Sequence, residues 1–169
     1  MVVLSDSDLR KMLPNRVLKN FKGIFMSNQH PQKREKGLYI YNLDNSEGDA
    51  SNSPNSIGTH WVGLEVGDDM AHYLDPFGKP PDDRLIKWLK KRRPNYQIWY
   101  STSPIQDLQS SNCGFYVLDF LIDMNDGVSF YEAIHKYDIK DTKKNESTIK
   151  QKYNINENSK EFKGRGYKI

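Results

Sequence analysis

The stretch Gln106–Tyr116, QDLQSSNCGFY, holds the only cysteine of the 169-residue chain. Polar, turn-forming residues precede Cys113, and the apolar run FYVLDFLID (115–123) follows it. The change from loop to helix therefore falls at the thiol. A helix beginning there turns its unpaired N–H groups and positive dipole end toward the sulfur, which favours thiolate over thiol. The run is apolar nearly all round, which predicts a buried helix reaching about Asn125 and ended by Asp126-Gly127. Asp119 and Asp123 would mark its wet edge, and Gly114 would leave one side of the backbone open to an incoming carbonyl. Such a helix holds the cysteine rigidly at its N-terminal end. On position alone, though, an isolated cysteine is most often a small buried filler. A base elsewhere in the chain changes that weighing.

Four histidines are available: His30, His60, His72 and His135. Two alternating segments, THWVGLEV (59–66) and AHYLDPF (71–77), read as a hairpin joined through GDDM. With Gly67-Asp68 as the two turn residues of a type II′ turn, Val66 faces Asp69, and His60 falls directly opposite Asp75. Opposed residues share one face of a sheet with Cβ atoms about 5 Å apart, so imidazole and carboxylate come within hydrogen-bond range. His72 would face Gly63, which has no side chain to orient it. Taken singly, His60 is as easily an edge-strand histidine and Asp75, followed by Pro76, a turn residue. Facing each other, they have the logic of a Cys–His pair with an orienting acid. The backbone N–H of Cys113 could then be one donor to the oxyanion, and a side-chain amide from Gln106 or Gln109 the other.

Working outward, SDSDLRKMLP (5–14) reads as a short helix capped by Ser5 or Ser7 and stopped by Pro14. FKGIFM (21–26), GLYIYNL (37–43) and YQIWYST (96–102) are strand-like, and PPDDRLIKWLKKRRP (80–94) is a helix with acids first and bases last. Residues 44–58 form a turn-rich loop, and SFYEAIHKY (129–137) opens with the Ser-x-x-Glu spacing of a capping box. The sum is an α+β fold, a mixed and mainly antiparallel sheet with flanking helices.

The length suits one domain. Ten Tyr, seven Phe and three Trp can build its core despite a hydrophobic fraction of 36%. A single cysteine excludes an intrachain disulfide and a Cys-rich zinc site, and no metal or other required cofactor is expected. The N-terminal MVVLSDSDLRKML has acids where a signal peptide is basic, and no apolar run approaches membrane-spanning length. A soluble, intracellular protein without a membrane partner is the expectation. The net charge of +3 is uneven. Residues 138–169 carry nine Lys/Arg against five Asp/Glu, or +4, which leaves −1 for residues 1–137. We therefore divide the chain into a neutral body, 1–137, and a basic extension, 138–169, either flexible or packed on the body.

GTHWVGL (58–64), YLDPFGKPPDDRL (73–85) and IQDLQSSNCGFYVLDFL (105–121), in this order, resemble the adenovirus-type cysteine endopeptidases (adenain). That family is related to the ubiquitin-like-protein (SUMO) proteases and occurs also in virophages and Maverick/Polinton elements. The likeness spans about His60 to Asp123, with weaker echoes in GIFM and GLYIYNLDNSEG upstream. It implies a papain-like, adenain-like fold with His60 as general base, Asp75 as its orienting acid and Cys113 as nucleophile. The family has Glu at the acid position in adenain itself and Asp in relatives. Gln106, seven residues before the cysteine, takes the oxyanion role; Gln109, four before, fits less well. Ser110 suits the family's loop, and Trp61 is expected to pack near the histidine or shield it from solvent.

The same resemblance implies a monomer that cleaves viral capsid or other structural precursors, at Gly-containing sites, in the virion or the infected-cell cytoplasm or virus factory. One departure matters: adenain is stimulated by a peptide disulfide-linked to a second cysteine, and this chain has none. Stimulation by DNA stays open through the basic extension, although no nucleic-acid motif appears. A SUMO-type deconjugating protease is the alternative substrate reading. A catalytically idle binding domain is a third, against which the presence of all four residues argues.

Overall fold

The helix that begins at Cys113 organises the molecule. In the computed structural model, which describes residues 4–43 and 60–155, it spans Cys113–Asn125, and ten consecutive side chains from Cys113 to Ile122 are buried. In chain order the elements are α1 (Asp6–Met12), α2 (Asn15–Leu18), β1 (Phe21–Met26), β2 (Gly37–Asn42), β3 (Trp61–Val66), β4 (Met70–Leu74), α3 (Asp83–Lys90), β5 (Gln97–Tyr100), α4 (Cys113–Asn125), α5 (Phe130–His135) and α6 (Thr142–Lys152). The turn-rich segment expected at 44–58 and the end of the basic extension lie outside the described residues.

The five strands form one sheet in sequence order. The expectation of a mixed sheet holds, but its antiparallel majority does not. β2–β3 and β3–β4 are antiparallel, whereas the two outer pairs, β1–β2 and β4–β5, are parallel. The reason lies in the connections. Long excursions through Pro31 and through α3 bring β2 and β5 back in the direction of their neighbours, as parallel pairing requires.

Strand alternation splits the core in two. Leu38, Ile40, Trp61 and Leu74 point toward α4 and join the helical side, with Leu4, Leu9 and Val17. Tyr39, Tyr41, Val62, Leu64, Val66 and Tyr73 point the other way and pack against Leu85 and Leu89 of α3. Helices therefore cover both faces. α1 starts on a full capping box, Ser5 accepting from the Asp8 N–H while Asp8 accepts from the Ser5 N–H. Asp82 caps α3 and Ser129 caps α5 through the Glu132 N–H.

Two glycines set how closely α4 packs. A Cβ on Gly63 would lie 2.9 Å from the Phe120 ring and 3.3 Å from Val117, so the helix sits down on β3 only because no side chain stands there. Gly63→Ala is expected to destabilise the fold by roughly 1–3 kcal/mol through overpacking, read as a lower urea midpoint at unchanged slope. Gly114 corrects an expectation. Its bare side is not open to a substrate: a Cβ there would meet Leu4 at 3.1 Å and Leu9 at 3.3 Å. The glycine lets the N-terminal segment close over the start of α4.

Asp119 corrects another. It is 2% exposed rather than on a wet edge, receiving Lys136, Lys152 and the Tyr137 hydroxyl. Burial alone would raise its carboxyl, but the two ammonium groups outweigh that and hold it below the usual carboxylate range.

Candidate active site

The hairpin register differs from the expectation by two residues. Val66 pairs with Ala71 rather than Asp69, and Gly63 pairs with Leu74. His60 is thus not directly opposite Asp75. Continued past Trp61, this register sets His60 level with Phe77, and the two rings do stack, centroids 4.7 Å apart. The turn residues are Asp68-Asp69, closed by the Gly67 N–H donating to the Met70 carbonyl at 2.9 Å, and tertiary contacts hold this turn. The Gly67 carbonyl receives the Tyr96 hydroxyl at 2.8 Å, Arg93 binds the Asp68 carbonyl and, at 3.0 Å, Asp69, and Met70 pairs with Gln97 of β5.

An even displacement keeps every side chain on its face. His60 and Asp75 therefore still share one, as diagonal rather than direct neighbours, within reach of two such side chains. The His60 Nε2 lies 2.7 Å from Asp75 Oδ1. Asp75 is 1% exposed, and the same oxygen accepts the Phe77 N–H at 2.8 Å. That turn contact fixes the carboxylate's direction.

The Cys113 sulfur is near enough to the imidazole to raise its proton affinity. Nε2 is committed to Asp75, which leaves Nδ1 for the thiol. Cys113 is 4% exposed, and its sulfur also lies 3.5 Å from the Trp61 N–H. Asn112 precedes it without a side-chain cap, so no side chain from that position competes for the first N–H groups of α4. Burial pulls the His60 ring toward its neutral form. Hydrogen bonding of the ring to Asp75 and Cys113, together with their charge, outweighs burial and pushes the ring up to about 9. At neutral pH the site holds a protonated imidazole between a carboxylate and a sulfur.

The other histidines are elsewhere. His72 does not face Gly63; it faces Glu65, with Nδ1 2.8 Å from Oε1, and stacks on Phe130. It therefore has a carboxylate partner of its own. Glu65, however, is five residues up the strand from His60, about 16 Å at strand rise. His30 is held by the Tyr41 hydroxyl at 3.1 Å and stacked on Trp88, and His135 is exposed against Tyr131.

Gln106 is 1% exposed, whereas Gln109 is exposed. The backbone N–H groups of Ile105 and Gln106 both donate to the carbonyl of Pro76, next to Asp75, at 2.9 and 3.1 Å. This ties the loop before Cys113 to the turn that carries the acid. The Gln106 Nε2 donates to the Ser110 carbonyl at 3.0 Å and makes a longer contact, 3.4 Å, with the Ser110 hydroxyl oxygen.

Trp61 shields nothing. Its ring is 4% exposed in the helical core and donates from Nε1 to the Leu4 carbonyl at 3.0 Å. Phe77 covers the imidazole instead, and it stands two residues after Asp75 inside a motif already singled out.

Among the described residues no group of acidic, histidine or cysteine side chains could hold a metal ion, and no helix is long and apolar enough to cross a membrane.

No family profile matches the sequence, and no curated protein matches it. Among solved structures, two of the ASFV pS273R protease are similar. The selenomethionine form is 19% identical with a TM-score of 0.44, covering 62% of this chain and 40% of that one. The other is 16% identical with a TM-score of 0.47, covering 74% and 57%. The chain thus spans about half the length of that protease. Scores this low add no argument, and the functional reading rests on the geometry of the site.

Proposed function

We propose that the protein is a cysteine endopeptidase in which Cys113 is the nucleophile, His60 the acid–base group, Asp75 its orienting acid and Gln106 an oxyanion donor. One observation carries the reading: a single imidazole, from a strand end, bonds a buried carboxylate at 2.7 Å and stands near enough to the sulfur at a helix N-terminus for that sulfur to raise its proton affinity.

The sulfur attacks the scissile carbonyl carbon, and the carbonyl electron pair moves onto oxygen. The Cys113 N–H and the Gln106 amide, giving up its long contact with the Ser110 hydroxyl, stabilise that oxyanion. As the C–N bond breaks, His60 gives its proton to the departing amine and a thioester remains. Water, deprotonated by the now neutral His60, then hydrolyses the thioester. Asp75 holds the ring direction throughout and stabilises its protonated form.

Gln106→Ala is expected to lower kcat about 10²-fold with the fold intact by thermal melt. The same loss from Gln109→Ala instead would move the donor to that residue.

The motif resemblance supports viral structural precursors with Gly-containing sites as substrates, handled by a monomer during particle maturation, in the virion or virus factory. It also supports ubiquitin-like-protein tails as the alternative. Incubating the protein with candidate capsid precursors and with a SUMO precursor, then mapping fragments by mass spectrometry, separates the two. Absence of Cys113-dependent fragments from both panels overturns both substrate readings. DNA stimulation is tested in the same assay by adding duplex DNA.

A further inference from the structure

α6 carries a carboxylate that the chemistry above does not use. Glu146 is 7% exposed, and its two oxygens accept from four groups. Oε1 receives the Asp107 N–H at 3.2 Å and the Tyr116 hydroxyl at 3.0 Å. Oε2 receives the Ser110 hydroxyl at 2.8 Å and the Asn112 side-chain amide at 2.7 Å. Three of these donors lie in the irregular loop between Gln106 and Cys113, and the fourth in the first turn of α4. Ser110, held by Glu146 through its hydroxyl, is also the residue whose carbonyl takes the Gln106 amide at 3.0 Å.

A loop without regular structure keeps a side-chain amide aimed only if something fixes its backbone. Here a buried carboxylate does so from a distant part of the chain. A buried charge is costly unless its lone pairs are filled, and an apolar replacement often stabilises a fold equally well. Four charge-assisted bonds, three to one loop and one to the helix turn that follows it, therefore specify local geometry rather than the stability of the whole.

We propose that Glu146 is a positioning residue for acyl transfer at Cys113: it sets the loop that aims the Gln106 amide and the Cys113 N–H at the oxyanion. The inference rests on the cysteine-protease reading and deepens it, since it makes α6 part of the active site.

Two probes of the same sulfur test it on the 169-residue chain. An activated glycine p-nitrophenyl ester acylates Cys113 through an oxyanion, releasing p-nitrophenolate. Iodoacetamide alkylates it by displacing iodide at a saturated carbon, with no oxyanion. Glu146→Gln is expected to slow acylation at least about tenfold, a fraction of what loss of an oxyanion donor costs, while alkylation stays within about twofold of wild type. A folded variant acylated as fast as wild type, or slowed equally in both reactions, overturns the proposal.

If Glu146→Gln does not fold by circular dichroism, Asn112→Ala decides. The Asn112 side chain bonds Glu146 and makes no cap bond, so the variant removes one of the four bonds, and acylation about fivefold slower at unchanged alkylation is expected, the equivalent of one hydrogen bond. No change overturns the inference. Wild type that the ester acylates at Cys113, but that cleaves no protein, removes the protease reading and leaves Glu146 in its role. Wild type inert to the ester removes both.

Discussion

Replacing Cys113 by alanine is expected to abolish peptide cleavage, with kcat falling at least about 10⁴-fold, the scale seen when a nucleophile is deleted from a catalytic set. No other cysteine exists to take over. The fold should survive. The side chain is small and 4% exposed, and Asn112 and Tyr116, bonded to Glu146, hold the start of α4 without it. The variant's melting temperature is expected within a few degrees of wild type, since the lost Trp61 N–H contact is worth about 1 kcal/mol. Progress curves on a peptide cut by wild type, run beside a thermal melt, check both halves. Turnover near wild type removes Cys113 as nucleophile.

His60→Ala is expected to lower kcat about 10³-fold or more, because the ring both stabilises the sulfur's negative charge and protonates the leaving amine. It also changes how stability depends on pH. The folded ring titrates at about 9 against an ordinary 6.5. A raised value means that protonation favours the folded state. The stabilisation is therefore complete below about 6.5 and is lost as pH rises through about 9. That difference is worth on the order of 3 kcal/mol at its fullest. Wild type should exceed His60→Ala in urea stability most clearly at pH 6, and the gap should close by pH 10. Activity follows the same limb, since a neutral ring cannot act as acid, so kcat/KM should fall above pH 9. A stability gap that does not change between pH 6 and 10 contradicts the assigned protonation.

Much of the site was legible because its parts are local patterns. The step from polar loop to apolar run at Cys113 marks a helix start wherever the helix ends up. Alternation in 59–66 and 71–77 marks two strands, and a turn with an even number of residues places His60 and Asp75 on one face. Parity could not give the register. The register differs by two residues, and Arg93, Tyr96 and the pairing of Met70 with Gln97, which hold the observed turn, are not visible in the turn sequence itself. The pair met regardless, because a shift of two preserves the face and diagonal side chains still reach.

What sequence by itself determined is therefore which residue types stand at which element ends: a thiol at a helix N-terminus, an imidazole and a carboxylate on neighbouring strands. Only the tertiary structure decided what surrounds them. It turned Trp61 into the core and Phe77 over the imidazole, and it closed Gly114 with Leu4 and Leu9. It also brought Glu146 to the loop before Cys113. The helix carrying Glu146 has little apolar periodicity because Asn145 and Glu146, two of its buried residues, are polar. Periodicity detects helices that bury apolar faces. A face buried to satisfy another segment's hydrogen bonds leaves no such trace, since its partners are distant in the chain and meet only on folding.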